Sequence, residues 1–212
     1  MKGLILPLAL LLGACANLQS SPQDGYQAAI ADAAVIEPGE AMPLAPIPQG
    51  KVLVVTWSKY PASFPTGQDV QLSWGETWVT LDGAVRGFCK GYQDKTAQTQ
   101  RLLGLPVVAG EQRSFVTLEV DREELFRPCA NPSLDQSQCG PDFPKDVSPA
   151  YRAWFAGQTA ASYQEKGFPW TRLGYTYNYN AGASEVGPTE LVLPKGSSAK
   201  VVAVVETAQY CR

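Results

Sequence analysis

The chain of 212 residues contains no histidine. That absence removes Ser-His-Asp and Cys-His nucleophilic systems and every His-ligated zinc site. No stretch approaches the ~18 consecutive apolar residues of a membrane-spanning helix. There is no basic surplus either: 17 Lys and Arg face 20 Asp and Glu, a formal charge of −3. From Lys51 onward the two signs balance. A nucleic-acid surface needs a basic patch, so no nucleic-acid partner is expected. Cys-x-x-Cys pairs and the signatures of EF-hand, phosphate-cradling and dinucleotide-binding loops are missing, and no metal or cofactor is expected.

What is present begins at the N-terminus. Lys2, the apolar run Leu4 to Leu12 and the small pair Gly13-Ala14 have the three parts of a secretory leader over residues 1–14. At about 1.5 Å per residue the run is too short for a hydrocarbon core of roughly 30 Å. Leu12-Gly13-Ala14-Cys15 resembles the lipobox of bacterial lipoproteins. The resemblance implies a diacylglycerol on the Cys15 thiol, cleavage before that residue and acylation of the new amine. Several acyl chains make a stable anchor where one is marginal. Ala16 after the cysteine resembles the pattern of lipoproteins passed to the outer membrane, which implies a lipid-anchored body facing the periplasm of a two-membrane cell. The rival is an ordinary cut at Gly13-Ala14-Cys15 that leaves Cys15 unmodified.

With Cys15 given to lipid, four of the five cysteines remain, and an even number in an exported chain implies two disulfides with three possible connectivities. Cys129 and Cys139 bracket a polar stretch and are expected to close it; Cys89 is then expected to pair with Cys211. Residues 15–50 are rich in Ala, Pro, Gln and Ser, and between Ala16 and Gly50 there is no Lys or Arg. Gln27 to Ile36 has helical character without a strong amphipathic stripe. A flexible, partly polyproline-like tether is expected, able to lift the body off the bilayer; a tail packed on the body is the alternative.

The body, residues 51–212, reads as an α+β, strand-dominated single domain with about three helices. Lys51 to Trp57 is a β-branched run typical of a buried strand. Val70, Leu72 and Trp74 alternate with polar residues, and Gly75-Glu76 leads into Trp78 to Leu81, which predicts a hairpin. Asp82 is a candidate N-cap for a helix carrying Val85, Phe88 and Cys89, and a second helix is expected over Thr96 to Leu103. Ser114 to Val120 alternates again, and Asp121 to Glu124 has the form of a capping box. Ser148-Pro149 should start a third helix, with Tyr151, Trp154, Phe155 and Gln158 on one face, ending near Tyr163. Leu173, Tyr175, Tyr177 and Tyr179 share one face of a strand, and Glu190 to Leu193 with Lys200 to Val205 predicts a closing hairpin. Phe168 to Tyr175 is similar to stretches of proteobacterial lipoproteins of unassigned activity, which implies a compartment and no reaction.

No catalytic constellation emerges. Ser197-Ser198-Ala199-Lys200 matches Ser-x-x-Lys, yet Lys200 starts a strand rather than continuing a helix, so a turn is the expectation. Glu76, Asp82, Glu119, Asp121, Glu123, Glu124 and Glu190 could supply a glycosidase pair, and nothing in their spacing singles out two. Trp170, Tyr175, Tyr177 and Tyr179 are the candidate binding residues, as a stacking platform for sugar or peptide; packing in the core is the favoured reading, because aromatic rows in strands more often pack. Trp57, Trp74, Trp78 and Trp154 are expected in the core. The leading expectation is a membrane-anchored, non-enzymatic lipoprotein that binds a periplasmic protein or envelope component or serves in an envelope assembly. A carboxylate-dependent envelope glycan hydrolase is the alternative.

Overall fold

The computed structural model describes residues 22–212, so the leader and Cys15 lie outside the described residues. Seven strands form one antiparallel sheet in the order β2-β7-β4-β1-β3-β6-β5: β1 Lys51–Ser58, β2 Asp69–Gln71, β3 Thr77–Leu81, β4 Ser114–Asp121, β5 Tyr175–Tyr177, β6 Val186–Leu193 and β7 Ser198–Glu206. Five helices accompany it: α1 Pro22–Ala33, α2 Ala84–Cys89, α3 Lys95–Leu102, α4 Pro149–Ser162 and α5 Thr207–Tyr210. The class is α+β and strand-rich, as expected.

The sheet is coiled, and the chain itself requires it. Leu193 ends β6 level with Glu206 of β7, through the pairs Leu193–Thr77, Ser58–Ser114 and Ser114–Glu206. Flattened, the sheet would hold Leu193 and Ser198 roughly 30 Å apart, at ~4.8 Å per strand across and ~3.3 Å per residue along. The Pro194–Ser197 link spans at most about 18 Å. Strong coiling closes that difference, helped by the bulge in the β4–β7 ladder between Thr117 and Leu118. One face then packs a core of Val52, Val54, Val79, Val116, Leu118, Leu191, Leu193 and Val201. The other carries Val55, Trp57 and Phe115 against Val85, Leu102 and Tyr210 of the helices.

Both expected hairpins are corrected. β2 pairs with β7 and not β3, and β6 and β7 lie on opposite sides of the β4-β1-β3 centre. Short links between consecutive strands misled because the coiled sheet brings strand ends together without pairing them. One cap moves: Gly83, with φ of 80°, stands at the N-cap of α2 in place of Asp82. Asp121 holds the N-cap position of the short turn Arg122–Glu124, as expected, but its side chain makes no capping bond and pairs with Lys51 at 2.9 Å. Asp94 caps α3 and Ser148 caps α4, each accepting a main-chain N–H three residues on.

The free tether is corrected over residues 22–50. Tyr26, Ala29, Ile30 and Ala33 recur at helical spacing and are buried; Ala29 and Ala33 pack with Tyr163, Tyr177 and Tyr179, and Tyr26 packs on Tyr179. Alanine buries little area but lets a helix approach closely. Beyond α1, Leu44 and Ile47 are buried, Leu44 N–H donates to Ser137 O at 2.8 Å, and Arg127 Nη2 donates to Ala45 O at 2.8 Å. The folded body therefore starts before Lys51.

Both expected disulfides are present. Cys89–Cys211 joins α2 to the C-terminus with Cα atoms 5.2 Å apart, and Cys129–Cys139 closes the polar loop at 6.1 Å. They are consistent with an oxidising compartment. No helix among the described residues is long and apolar enough to cross a membrane.

Candidate functional site

The site arises where two central strands part. β1 pairs with β4 along its whole length, but with β3 only at Val54–Leu81 and Val55–Thr80. Beyond those pairs, Thr56 to Ser58 and Thr77 to Val79 diverge and leave a wedge. Leu53 O accepts from Asp82 N at 3.0 Å, so alternate β1 residues aim their main-chain groups at β3. Trp57 is the next but one in that series and faces the gap; Arg113 Nη1 occupies its carbonyl at 3.1 Å. Val192, opposite Trp78, exchanges its main-chain bonds with Phe126, so the Trp78 groups also face away from β6 and into the gap.

A cavity of about 630 Å³ fills this wedge, within the usual size range of small-molecule sites. Consecutive residues of both strands line it, Val55 to Ser58 and Thr77 to Thr80, which a cavity resting on one sheet face would not produce. Val85 of α2, Leu103 to Leu105 after α3, Gln158 and Ser162 of α4, and Phe168 to Trp170 complete the walls. Gly104 (φ +63°) lets the chain reverse there; a Cβ would lie 3.2 Å from Pro169 Cγ. The helix stripe read from the sequence supplies one wall's support: Trp154 packs on Trp78 and Trp170 at 6.5 and 6.1 Å, and Phe155 on Trp170 at 4.9 Å.

Two carboxyls reach this apolar space. Glu76 is engaged, its oxygens accepting from Trp154 Nε1 at 2.6 Å and Gln158 Nε2 at 3.2 Å. Glu190 lies deeper, directly across the β3–β6 ladder from Thr80. It is partly buried and lines the cavity, and burial pushes its carboxyl up to about 8. It is mostly neutral at pH 7 and able to donate a hydrogen bond. Thr80 Oγ1 opposite it and Thr77 Oγ1 are both buried without a hydrogen-bond partner, so Glu190 and Thr80 form a polar spot in a largely apolar chamber. At the mouth Arg113 pairs with Glu111 at 2.5 Å, a bond that holds the Glu111 carboxyl below the ordinary range.

The predicted binding residues divide. Trp170 and Tyr177 line the cavity, whereas Tyr175 and Tyr179 do not. The tyrosine row is packed and not presented: Tyr175 and Tyr177 are 5% and 7% exposed. Their hydroxyls hold the chain's own segments, Tyr175 donating to Glu40 O at 2.8 Å, Tyr177 to Asp32 Oδ2 at 2.7 Å and Tyr179 to Leu105 O. Burial raises the Tyr175 and Tyr179 hydroxyls to about 12. The row follows the packing reading, and it forms no open stacking platform. Trp74 is also corrected, being 54% exposed at the cavity mouth. Ser197 is buried just before β7 and Lys200 exposed on it, and neither lines the wedge cavity. Among the described residues Asp32, Glu40 and Glu185 form the one three-carboxylate group, with atoms within 4.8 Å of one another. Tyr177 already occupies Asp32.

Glu76 and Glu190 appeared among the sequence's carboxylates without distinction. In Thr189-Glu190-Leu191-Val192-Leu193 the glutamate has the opposite parity to the leucines, which reads as a solvent-facing position. Only the wall beyond β5 and α4 encloses it. No protein-family model, curated protein or solved structure matches this chain.

Proposed function

We propose that this is an exported, lipid-anchored protein whose body binds an apolar ligand in the β1–β3 wedge, without catalysing a reaction on it. The observation that carries the reading is the wedge itself: an aromatic and aliphatic chamber of about 630 Å³ with one deep neutral carboxyl. Small-molecule sites have this composition, with few polar groups that fix orientation. A ligand with an acceptor oxygen at one end would meet the Glu190–Thr80 spot, its apolar part lying along Trp57, Trp78 and Trp170. Titration with a neutral fluorescent naphthylamine probe should give saturable one-site binding, competed by dodecanol. Absence of saturable binding overturns the reading.

The leader and lipobox support anchoring at Cys15 on the periplasmic side of an outer membrane, and the two disulfides suit that compartment. Cys15→Ser should lose labelled palmitate; label retained in the variant contradicts the anchor.

One observation favours the hydrolase alternative: Glu76 and Glu190 share a cavity, and Glu190 keeps its proton as a general acid would. Against it, their strand positions are separated by about 13 Å along the ladder, beyond the ~5–9.5 Å of glycosidase carboxyls unless the side chains converge. Glycan turnover by the wild type that is lost in Glu190→Gln would decide for the alternative.

A further inference from the structure

Three of the four exposed aromatic residues gather in one place, Phe88 of α2 lying apart from them. Tyr60, Trp74 and Phe168 are 64%, 54% and 51% exposed, and all three line the mouth of the wedge cavity. They come from three separate loops: the turn after β1, the run into β3 and the turn after α4. Each is held in place. Tyr60 N–H donates to Ser58 Oγ at 3.0 Å, Trp74 packs edge-on to Phe64 at 5.3 Å, and Phe168 N–H donates to Ser162 O at 2.8 Å. A monomer that leaves three large aromatics in water around one apolar opening exposes a patch that calls for a cover.

The start of the described chain says what that cover is. Tyr26 Oη of α1 donates to Gly167 O at 2.9 Å, and Gln27 Nε2 donates to Glu165 O at 2.9 Å, so α1 begins beside the Phe168 loop. Only residues 16–21 separate Cys15 from the described chain, a reach of about 25 Å at full extension. A lipid on Cys15 would keep the Phe168 side of the mouth within about that reach of the bilayer. Tyrosine and tryptophan favour the membrane–water boundary, where one end of the ring is apolar and the other wet. Lys59 sits in the same rim, over the Tyr60 ring at 5.6 Å, and suits an anionic headgroup layer.

We propose that Tyr60, Trp74 and Phe168 form a membrane-docking rim that turns the cavity mouth to the lipid surface, so that the cavity takes an acyl chain directly from the bilayer. The docking rests on the cavity reading for its ligand, but the rim can be tested apart from it. The full chain carrying Cys15→Ser, exported so that both disulfides form, is mixed with vesicles of phosphatidylethanolamine and phosphatidylglycerol in a three-to-one ratio. The expected result is cosedimentation, with tryptophan fluorescence quenched by brominated acyl chains. Trp74→Ser with Phe168→Ser, both at exposed positions, should lower the partition coefficient about tenfold or more. Because both positions are exposed, the two changes should leave Tm within about 2 °C of the parent, so a loss of partitioning is not a loss of fold. Failure of the Cys15→Ser chain to bind vesicles, or equal binding by the rim variant, overturns the docking. Absence of saturable naphthylamine binding with vesicle binding intact overturns the cavity reading instead.

Discussion

Replacing Glu190 with glutamine keeps the shape of the side chain and removes its titration. The carboxyl moves from an ordinary 4.5 to about 8 on folding because the cavity walls replace the water around it. Between those two values the folded protein holds a proton that the unfolded chain has released. The folded state binds more protons, so stability falls as pH rises through the window and levels off on either side of it. At ~1.36 kcal/mol per tenfold change, the upper bound is about 5 kcal/mol. Water entering through the mouth screens the charge, so about 2–3 kcal/mol is a better working figure. At about pH 9 Glu190→Gln should therefore exceed the wild type by that amount, or about 4–12 °C in Tm, and the two should converge near pH 4.5. Glu76, Lys59 and Arg113, the other charged groups on the wall, stay in place, so the difference between the two proteins isolates Glu190. Urea and thermal melts followed by circular dichroism, disulfides intact, read the effect directly. A difference that does not change between pH 4.5 and 9 would refute the reasoning.

The two disulfides should differ in weight. Chain entropy assigns about 5 kcal/mol to the 122-residue separation of Cys89–Cys211 and about 3 kcal/mol to the 10-residue separation of Cys129–Cys139, so paired serine variants should rank in that order in urea melts. The reverse order would show native strain or residual structure to dominate. Tyr177→Phe removes the hydrogen bond to Asp32 that secures α1, costing about 1.5–3 kcal/mol with its charged acceptor. Amide exchange in Gln27 to Ala33 should speed up at least about tenfold, while exchange in β4 stays unchanged; unchanged exchange in α1 contradicts the clamp. Thr80→Phe places a ring in the cavity beside Glu190 and should weaken binding of the neutral naphthylamine probe about tenfold or more without lowering Tm. Wild-type affinity for that probe should also fall above about pH 8, by up to tenfold per pH unit, and Glu190→Gln should abolish the fall.

The local patterns carried a good part of this fold. Ser148-Pro149 and the stripe Tyr151, Trp154, Phe155 and Gln158 specify α4 because cap and period agree over several turns. β1, β4 and β7 were legible as β-branched or alternating runs, and cysteine parity led to both bridges. Pairing was not legible. β2 is a three-residue strand whose partner is set by coiling of the whole sheet, and Pro194 to Ser197 looks like a hairpin turn although it bridges strands that never pair. α1 was missed because its buried face is built mainly from alanine, which gives a weak hydrophobic signal yet packs closely on Tyr177. The cavity was missed for a related reason. It depends on β1 and β3 separating after two pairs, a non-local event, and on Glu190 lying under a wall contributed by distant segments. Trp170 was chosen as a neighbour of a tyrosine row; its role instead comes from packing on Trp78 and Trp154.

The most direct measurement of the central claim is the crystallographic position of bromine in a complex with a terminally brominated dodecanol. The account predicts an anomalous peak inside the wedge, between Thr56 to Ser58 of β1 and Thr77 to Val79 of β3, with the hydroxyl toward Glu190 and Thr80. Bromine bound elsewhere, or an empty wedge at a saturating concentration, would contradict it.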